Sequence, residues 1–159
     1  MTGRSLRLVV ADDDELLREM LSGLLGDLGY EVVAAVGDGA AAVQASLEHR
    51  PDLTLLDHRM PVLTGIEAAR QLHDRLPALP TVILSAYDDV GLQRAARDAG
   101  ATSYLVKGCT AAQIAEAIEA AYDSATRPAP PAPPAGGRPG TARPPGSRPS
   151  PFQRAGSAI

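Results

Sequence analysis

The chain alternates short apolar segments with helical patterns five times between residues 6 and 122. Each apolar segment is five or six residues long, as a strand requires, and is followed by apolar residues that recur at helical spacing. We expect strands at residues 6–11, 31–36, 53–57, 81–85 and 102–106. We expect helices at residues 15–28, 40–47, 65–75, 89–99 and 111–122. Strands rich in Val, Ile and Leu on both faces are typical of a parallel sheet covered by helices. The pattern therefore predicts an α/β fold with a five-stranded, parallel, doubly wound sheet.

The composition changes sharply after residue 126. Residues 1–126 contain all 19 acidic residues and ten of the 15 basic ones, which gives a net charge of −9. Residues 127–159 contain five arginines, no acidic residue and ten of the 14 prolines. A segment with so few large apolar side chains cannot offset the entropy lost on ordering. We therefore predict one folded domain over residues 1–126 and a disordered Pro/Gly/Arg-rich tail over residues 127–159.

The sequence also indicates the cellular compartment in which the protein works. No apolar run reaches the roughly 18 residues that a membrane helix needs, and the first residues lead into a strand without a signal-peptide pattern. Cys109 is the single cysteine, so it cannot form an internal disulfide, which fits a reducing environment. We expect a cytoplasmic protein with no membrane partner.

Polar side chains stand at the ends of four of the five predicted strands. Asp12 and Asp13 follow the first strand, Asp57 ends the third, Ser85 ends the fourth and Lys107 follows the fifth. Taken singly, each has an ordinary explanation, because carboxylates cap helices and polar residues occupy loops. Taken together they are expected to converge, because the carboxyl ends of parallel strands share one rim of the sheet.

Three carboxylates at one rim repel one another and need a counter-charge. A divalent cation supplies it, and an all-oxygen site that stays open to water and phosphate suits Mg²⁺ better than zinc. Lys107 would add a positive charge, and Ser85 a hydrogen-bond donor, for an incoming phosphate. The three histidines match no phosphotransfer or metal pattern and are expected at the surface: His49, His58 and His73.

These residues occur in spaced motifs that resemble the receiver domain of bacterial two-component response regulators. The resemblance covers about residues 6–122. Its motifs are Val10-Ala-Asp-Asp-Asp14, Pro51-Asp-Leu-Thr-Leu-Leu-Asp57, Met60-Pro61 with Gly65, Leu84-Ser-Ala86 and Tyr104-Leu-Val-Lys107. The resemblance implies a flavodoxin-like sheet with the strand order 2-1-3-4-5.

The resemblance also implies a role for each matching residue at the rim. Asp57 is then the phosphoacceptor. Mg²⁺ is held directly by Asp13 and Asp57, partly through water by Asp12, and by the backbone carbonyl of Arg59. Lys107 pairs with a phosphate oxygen.

A conformational switch is implied as well. Ser85 would move toward the phosphoryl group, and Tyr104 would then turn inward and change the surface of the fourth helix, fifth strand and fifth helix.

Two positions depart from the family pattern. Gly108 follows Lys107 where many members have proline, and Arg59 places a cation beside the acidic residues. Arg59 is either a solvated loop residue or the partner of an acid in the metal-free site.

Three functions remain open from the sequence. In the first, a histidine kinase or phosphotransfer protein phosphorylates a single-domain regulator, which catalyses only its own phosphorylation and dephosphorylation and controls an unknown protein partner. The second is a transcription regulator that lacks its helix-turn-helix output domain, because nothing after residue 126 can form one. The Arg-rich tail would bind nucleic acid weakly and without sequence preference. The third, an aspartyl-nucleophile phosphatase, usually has a second aspartate where this chain has Arg59.

Overall fold

Strands and helices alternate through the whole of the described chain. The structure is a computed structural model and describes residues 5–127. The strands are β1 (Arg7–Ala11), β2 (Glu31–Val36), β3 (Leu53–Asp57), β4 (Thr81–Ser85) and β5 (Ser103–Val106). The helices are α1 (Glu15–Asp27), α2 (Gly39–His49), α3 (Gly65–Arg75), α4 (Val90–Asp98) and α5 (Ala111–Thr126). The predicted tail lies outside the described residues, apart from Arg127.

The ten predicted elements are all present, and most begin and end within two residues of the expected positions. α5 is the exception, because it continues for one turn beyond Tyr122 to Thr126. The added turn contains no glycine or proline, and the helix ends where Arg127 adopts an extended conformation before Pro128. A residue that precedes proline is disfavoured in the helical region, which explains this end point.

The five strands form one parallel sheet in the order β2-β1-β3-β4-β5. β1 pairs with both β2 and β3, and β4 pairs with both β3 and β5. The strand order therefore reverses between β1 and β3, and in open α/β sheets the crevice at such a point is where ligands bind. The predicted fold class and strand order are confirmed.

Two apolar layers cover the sheet, one on each face. α2, α3 and α4 pack on the face that carries Leu56, Ile83 and Tyr104. α1 and α5 pack on the face that carries Leu55 and Leu84. Successive strand residues point to opposite faces, so both faces must be apolar to be buried. Among the described helices, none is long and apolar enough to cross a membrane.

Candidate functional site

Three carboxylates meet where β1 and β3 end. Oxygen atoms of Asp12, Asp13 and Asp57 all lie within 4.8 Å of one another. The strand register explains the meeting, because Ala11 pairs with Leu56 and the residue that follows each of them in the chain is an aspartate. Asp12 and Asp57 are buried, whereas Asp13 is exposed to solvent.

The consecutive aspartates after β1 have two roles: one caps α1, and the other two lie at the rim of the sheet. Asp14 is the N-cap of α1, and its carboxylate accepts a hydrogen bond of 3.1 Å from the Leu17 amide. Asp12 Oδ1 accepts a hydrogen bond from the Asp14 amide and so turns its other oxygen toward the rim. Helix capping therefore accounts for Asp14 and leaves Asp12 and Asp13 at the carboxylate cluster.

Lys107 lies between the two buried carboxylates. Its Nζ atom is 3.3 Å from Asp12 Oδ2 and 3.1 Å from Asp57 Oδ1. The Lys107 amide donates to the Ser85 carbonyl, which ties the loop after β5 to β4. Gly108, the residue that replaces the family's proline, has φ of 97°, a conformation that proline cannot adopt. The loop thus holds the lysine through a glycine-specific backbone conformation.

Burial and neighbouring charges shift the acidity of this group of residues. The pKa of Asp57 is raised to about 6, mainly by burial and also by the charge of Asp12. The hydrogen bond from Lys107 acts in the opposite direction and lowers the pKa. Burial also lowers the pKa of Lys107, but the hydrogen bond and charge of Asp57 outweigh it, so the net direction is upward. Lys107 therefore stays charged at neutral pH, whereas the Asp57 carboxyl group is about half ionised near pH 6.

The loop between β3 and α3 packs closely against the end of β3. A Cβ atom on Gly65 would lie 2.3 Å from the Asp57 carbonyl oxygen, so only glycine permits this approach. The Gly65 amide donates to the His58 carbonyl, and the His58 amide donates to the Leu84 carbonyl of β4. Gly65 and these backbone bonds fix the direction in which Asp57 leaves the sheet.

Of the three histidines expected at the surface, His73 is exposed, whereas His49 and His58 are both half-buried. The Nδ1 atom of His58 is buried without a hydrogen-bond partner among the described residues. Burial lowers the pKa of His58, and the charge of Arg59 lowers it further.

Ser85 and Tyr104 meet through a third residue, Tyr87, which the sequence analysis did not identify. Tyr104 has no exposed surface, and its hydroxyl donates to the Tyr87 carbonyl at 2.7 Å. Ser85 Oγ accepts from the Tyr87 amide at 3.1 Å. Tyr104 therefore points inward in this structure. The available sequence signal was the position of Tyr87 in the loop that leaves β4, because loops at this edge of a parallel sheet often carry functional residues.

Arg59 contacts Tyr87 across the opening of the site. Its guanidinium carbon is 5.3 Å from the centre of the Tyr87 ring, and Nη1 is 3.3 Å from the Tyr87 hydroxyl. Of the two interpretations offered for Arg59, pairing with an acid is not seen: within residues 5–127 it makes no ion pair with the three aspartates of the rim. The side chain instead joins the loop after β3 to the loop after β4.

The donor set at the rim fits a hard divalent cation. All of its side-chain ligands are carboxylate oxygens, one of which, on Asp13, is open to solvent. Mg²⁺ prefers such oxygen ligands and keeps several of its waters. Lys107 balances part of the acidic charge without occupying the exposed side of the cluster.

Comparison with known families matches residues 8–119 to the response regulator receiver domain. The transcriptional regulatory protein PdtaR of Mycobacterium tuberculosis is 41% identical over 115 residues, which cover 72% of this chain and 56% of PdtaR. A protein-glutamate methylesterase/protein-glutamine glutaminase of Haloarcula marismortui is 41% identical over 104 residues, 64% of this chain and 28% of that protein. The receiver domain of the response regulator NarL from M. tuberculosis is 34% identical, with a TM-score of 0.69 over 77% of this chain and 98% of that one.

The fold, the acidic rim and these matches agree on one class of protein. The chain belongs to the response regulator receiver domain family, whose members act in two-component systems. The match spans about half the length of PdtaR and about a quarter of the methylesterase.

Proposed function

We propose that this protein is a response regulator in which Mg²⁺-dependent phosphoryl transfer to Asp57 controls a protein partner in phosphorelay signalling. The phosphoryl group comes from a histidine kinase or a phosphotransfer protein, and the protein works in the cytoplasm. The observation that carries the proposal is the cluster of three carboxylates within 4.8 Å, with Lys107 Nζ 3.1 Å from Asp57. Beyond its own phosphorylation and dephosphorylation it catalyses no reaction.

Each residue at the rim has a part in that transfer. Asp12, Asp13 and Asp57, with the Arg59 backbone carbonyl, hold Mg²⁺, which when bound neutralises charge on the phosphoryl oxygens. The Asp57 carboxylate forms a bond to phosphorus as the bond to the donor's histidine nitrogen breaks. Lys107, whose Nζ atom lies 3.1 Å from Asp57 Oδ1, pairs with a phosphoryl oxygen.

Ser85 and Tyr104 transmit the change to the surface formed by α4, β5 and α5. The phosphoryl group offers acceptor oxygens that draw the Ser85 hydroxyl toward them. Ser85 Oγ also accepts the Tyr87 amide, and Tyr87 in turn accepts the Tyr104 hydroxyl, so a movement of Ser85 acts on both. We expect two forms that differ in the positions of Ser85 and Tyr104, and phosphorylation shifts the equilibrium between them.

An apolar patch beside the rim is suited to the phosphodonor protein. Leu16, Leu17 and Met20 on the first turns of α1 are all exposed, with Met20 at 62%. α1 starts immediately after the acidic run, so a protein bound to this patch lies close to Asp57. Exposed apolar side chains at such a position are a common mark of protein–protein contact.

The proposal is tested by mixing the protein with Mg²⁺ and a small phosphodonor such as acetyl phosphate, then measuring intact mass. Wild type is expected to gain a single phosphoryl group, and Asp57→Asn none. Asp74→Asn, an exposed aspartate of α3, is the matched control and should behave as wild type. Equal mass gain in wild type and Asp57→Asn would overturn the assignment of the phosphoacceptor.

A second candidate function is transcription regulation, because the relative PdtaR is named as a transcriptional regulatory protein. On this alternative the receiver controls a nucleic-acid-binding partner or output. Binding of the phosphorylated and unphosphorylated protein to a pool of genomic DNA and RNA fragments separates the two. Binding that changes with phosphorylation and survives physiological salt would favour transcription regulation over a protein target.

A further inference from the structure

A groove crosses the amino-terminal edge of the sheet, opposite the acidic rim. We call it the amino-end groove. Its walls are the residues directly before β3, the loop that leads from α3 to β4, and the last turn of α5. Its main cavity has a volume of 490 Å³, and an adjoining cavity of 160 Å³ shares the loop over residues 77–80 and Ala125. The linings of these two neighbouring cavities together extend from Arg50 to Thr102.

The lining of the groove is largely apolar and includes three charged residues, Arg50, Asp52 and Arg75. The Asp52 carboxylate accepts a hydrogen bond from the Arg7 amide, so the two arginines supply the exposed donors. Three proline rings, two leucines and one tyrosine supply the apolar surface: Pro51, Pro77, Pro80, Leu76, Leu79 and Tyr122. Arg50 and Arg75 are the exposed arginines of the lining. Guanidinium groups donate hydrogen bonds and accept none, so these two residues favour an occupant that presents acceptors.

The chain itself carries a segment with matching chemistry, and it starts at the groove. Thr126, the last residue of α5, lines the groove, and residues 128–134 read Pro-Ala-Pro-Pro-Ala-Pro-Pro. Five of these seven residues lack an amide hydrogen, so the segment offers seven carbonyl acceptors and two amide donors. It carries no charge, and the next arginine after Arg127 is Arg138, so it does not repel Arg50 or Arg75.

Residues 128–134 are long enough to cross the amino-end groove. A polyproline II chain rises about 3.1 Å per residue, so seven residues span roughly 22 Å. The groove runs from the start of β3 to the start of β5, which is two strand spacings, or about 10 Å. Proline-rich segments bind grooves lined by aromatic and apolar side chains at low entropic cost, because they are extended before they bind.

We propose that residues 128–134 occupy the amino-end groove of their own chain, with their carbonyl groups accepting hydrogen bonds from Arg50 and Arg75. Because the segment is joined directly to the groove wall, its effective concentration is on the order of millimolar, so even a weak site is substantially filled. Docking there covers the apolar floor. It also starts the arginine-rich remainder of the tail at the end of the sheet farthest from Asp57.

The test uses the full chain and two matched variants. One replaces the five prolines of the segment with serine: Pro128, Pro130, Pro131, Pro133 and Pro134. The control replaces the five later prolines with serine: Pro139, Pro144, Pro145, Pro149 and Pro151. The amide signals of Ala78 and Leu79 are followed by NMR, because both residues line the groove and are far in sequence from either set.

We expect the first variant to shift the Ala78 and Leu79 amide signals and to speed hydrogen exchange at Leu79 by at least about twofold. The control variant is expected to leave both unchanged. On the groove side, Arg75→Gln should shift the amides of Ala129 and Ala132, whereas Arg70→Gln on the same helix should not. Identical Ala78 and Leu79 signals in wild type and the first variant would overturn the proposal.

Dilution separates the chain's own segment from that of a second copy. Wild-type signals that stay constant over about a tenfold dilution support docking within one chain. Signals that move on dilution toward those of the first variant would show that the occupant comes from another molecule, and intramolecular docking would then be wrong.

Discussion

Asp57 is subject to two opposing influences. Burial favours its neutral form and raises its pKa to about 6, whereas the hydrogen bond from Lys107 favours the carboxylate. The carboxylate form is the one that binds a cation or attacks phosphorus. A buried aspartate with an elevated pKa is therefore poised to respond to a cation, because a divalent ion supplies the charge compensation that burial removes.

The first prediction concerns pH and Mg²⁺. A proton and Mg²⁺ compete for the Asp57 carboxylate, so apparent Mg²⁺ affinity should fall about tenfold for each pH unit below 6 and level off above it. Calorimetric titration between about pH 5 and pH 8 measures this dependence. Asp74→Asn should keep the same profile. A constant affinity across this range would show that ionisation of Asp57 is not linked to metal binding.

The second prediction concerns stability without metal. The folded-state pKa of Asp57 is raised from 3.8 to about 6, so its stabilising contribution is complete below about pH 4 and is lost as pH rises through 6. Asp57→Asn does not titrate and escapes this loss. The melting temperature of the variant relative to wild type, measured in a chelator, should therefore rise between pH 4 and pH 7. A difference that stays constant or falls would contradict the direction of the shift.

At the scale of elements, the loop between β3 and α3 is strained at Val62. This residue has φ of 71°, and the Leu63 amide donates to the Pro61 carbonyl across it, which defines a classic γ-turn. A β-branched residue is unfavourable at positive φ. Val62 is 77% exposed, so its side chain gains little from burial.

The third prediction follows from this strain. Val62→Gly should raise the free energy of unfolding by about 1 kcal/mol, which corresponds to roughly 3–5 °C in melting temperature. Val90→Gly is the matched control, since Val90 is similarly exposed, at 72%, but starts α4 without a positive φ, and the change should lower stability. A loss of stability in both variants would show that the turn stores no strain.

The loop between β4 and α4 connects the acidic rim to the surface formed by α4, β5 and α5. Tyr87 receives the Tyr104 hydroxyl on its carbonyl, donates its amide to Ser85 and contacts Arg59 with its ring. Three segments of the rim therefore meet at one residue. A movement of Ser85 cannot leave Tyr104 unaffected as long as these hydrogen bonds persist.

The fourth prediction is that Ser85→Ala uncouples phosphorylation from the conformational change. Alanine removes the hydroxyl that follows the phosphoryl group, whereas Asp57, the metal ligands and Lys107 remain. The variant should therefore be phosphorylated normally, but the amide signals around Tyr104 should respond less than in wild type. Ser22→Ala on α1 is the control. An equal response in Ser85→Ala and wild type would exclude this route.

At the scale of the whole molecule, charge is divided between the two ends of the sequence. Residues 1–126 carry a net charge of −9 and residues 127–159 a net charge of +5. Arginines of the tail are attracted to the acidic domain, but a Debye length of about 8 Å at physiological salt limits the attraction to close contacts. Docking of residues 128–134 in the amino-end groove would further separate these arginines from the rim.

The fifth prediction concerns the tail. Deletion of residues 127–159 should leave the phosphorylation rate nearly unchanged and lower the melting temperature by less than about 3 °C, because all strands and rim residues precede it. The measurement compares full-length and truncated protein at low and high salt. A rate gain only at low salt would indicate electrostatic shielding of the rim by the tail. Loss of phosphorylation, or a fall of many degrees, would show that the tail belongs to the folded domain.

The number, order and type of the elements follow from the sequence alone. Apolar periodicity is a local property, so five strands and five helices could be placed along the chain without knowing any contact. The same holds for the residues at the rim, because a parallel sheet brings every strand's carboxyl end to one edge. Asp12, Asp57 and Lys107 could thus be assigned to one cluster before their distances were known.

What only the tertiary structure decided depends on contacts between residues far apart in sequence. Lys107 meets Asp12 across 95 positions, and Arg59 meets Tyr87 across 28. Periodicity contains no information about such pairs. The elevated pKa of Asp57, the inward position of Tyr104 and the amino-end groove arise in the same way. Each of these features depends on how the helices and loops pack against the sheet. That packing involves residues from many parts of the chain, so it is not determined by any local sequence pattern.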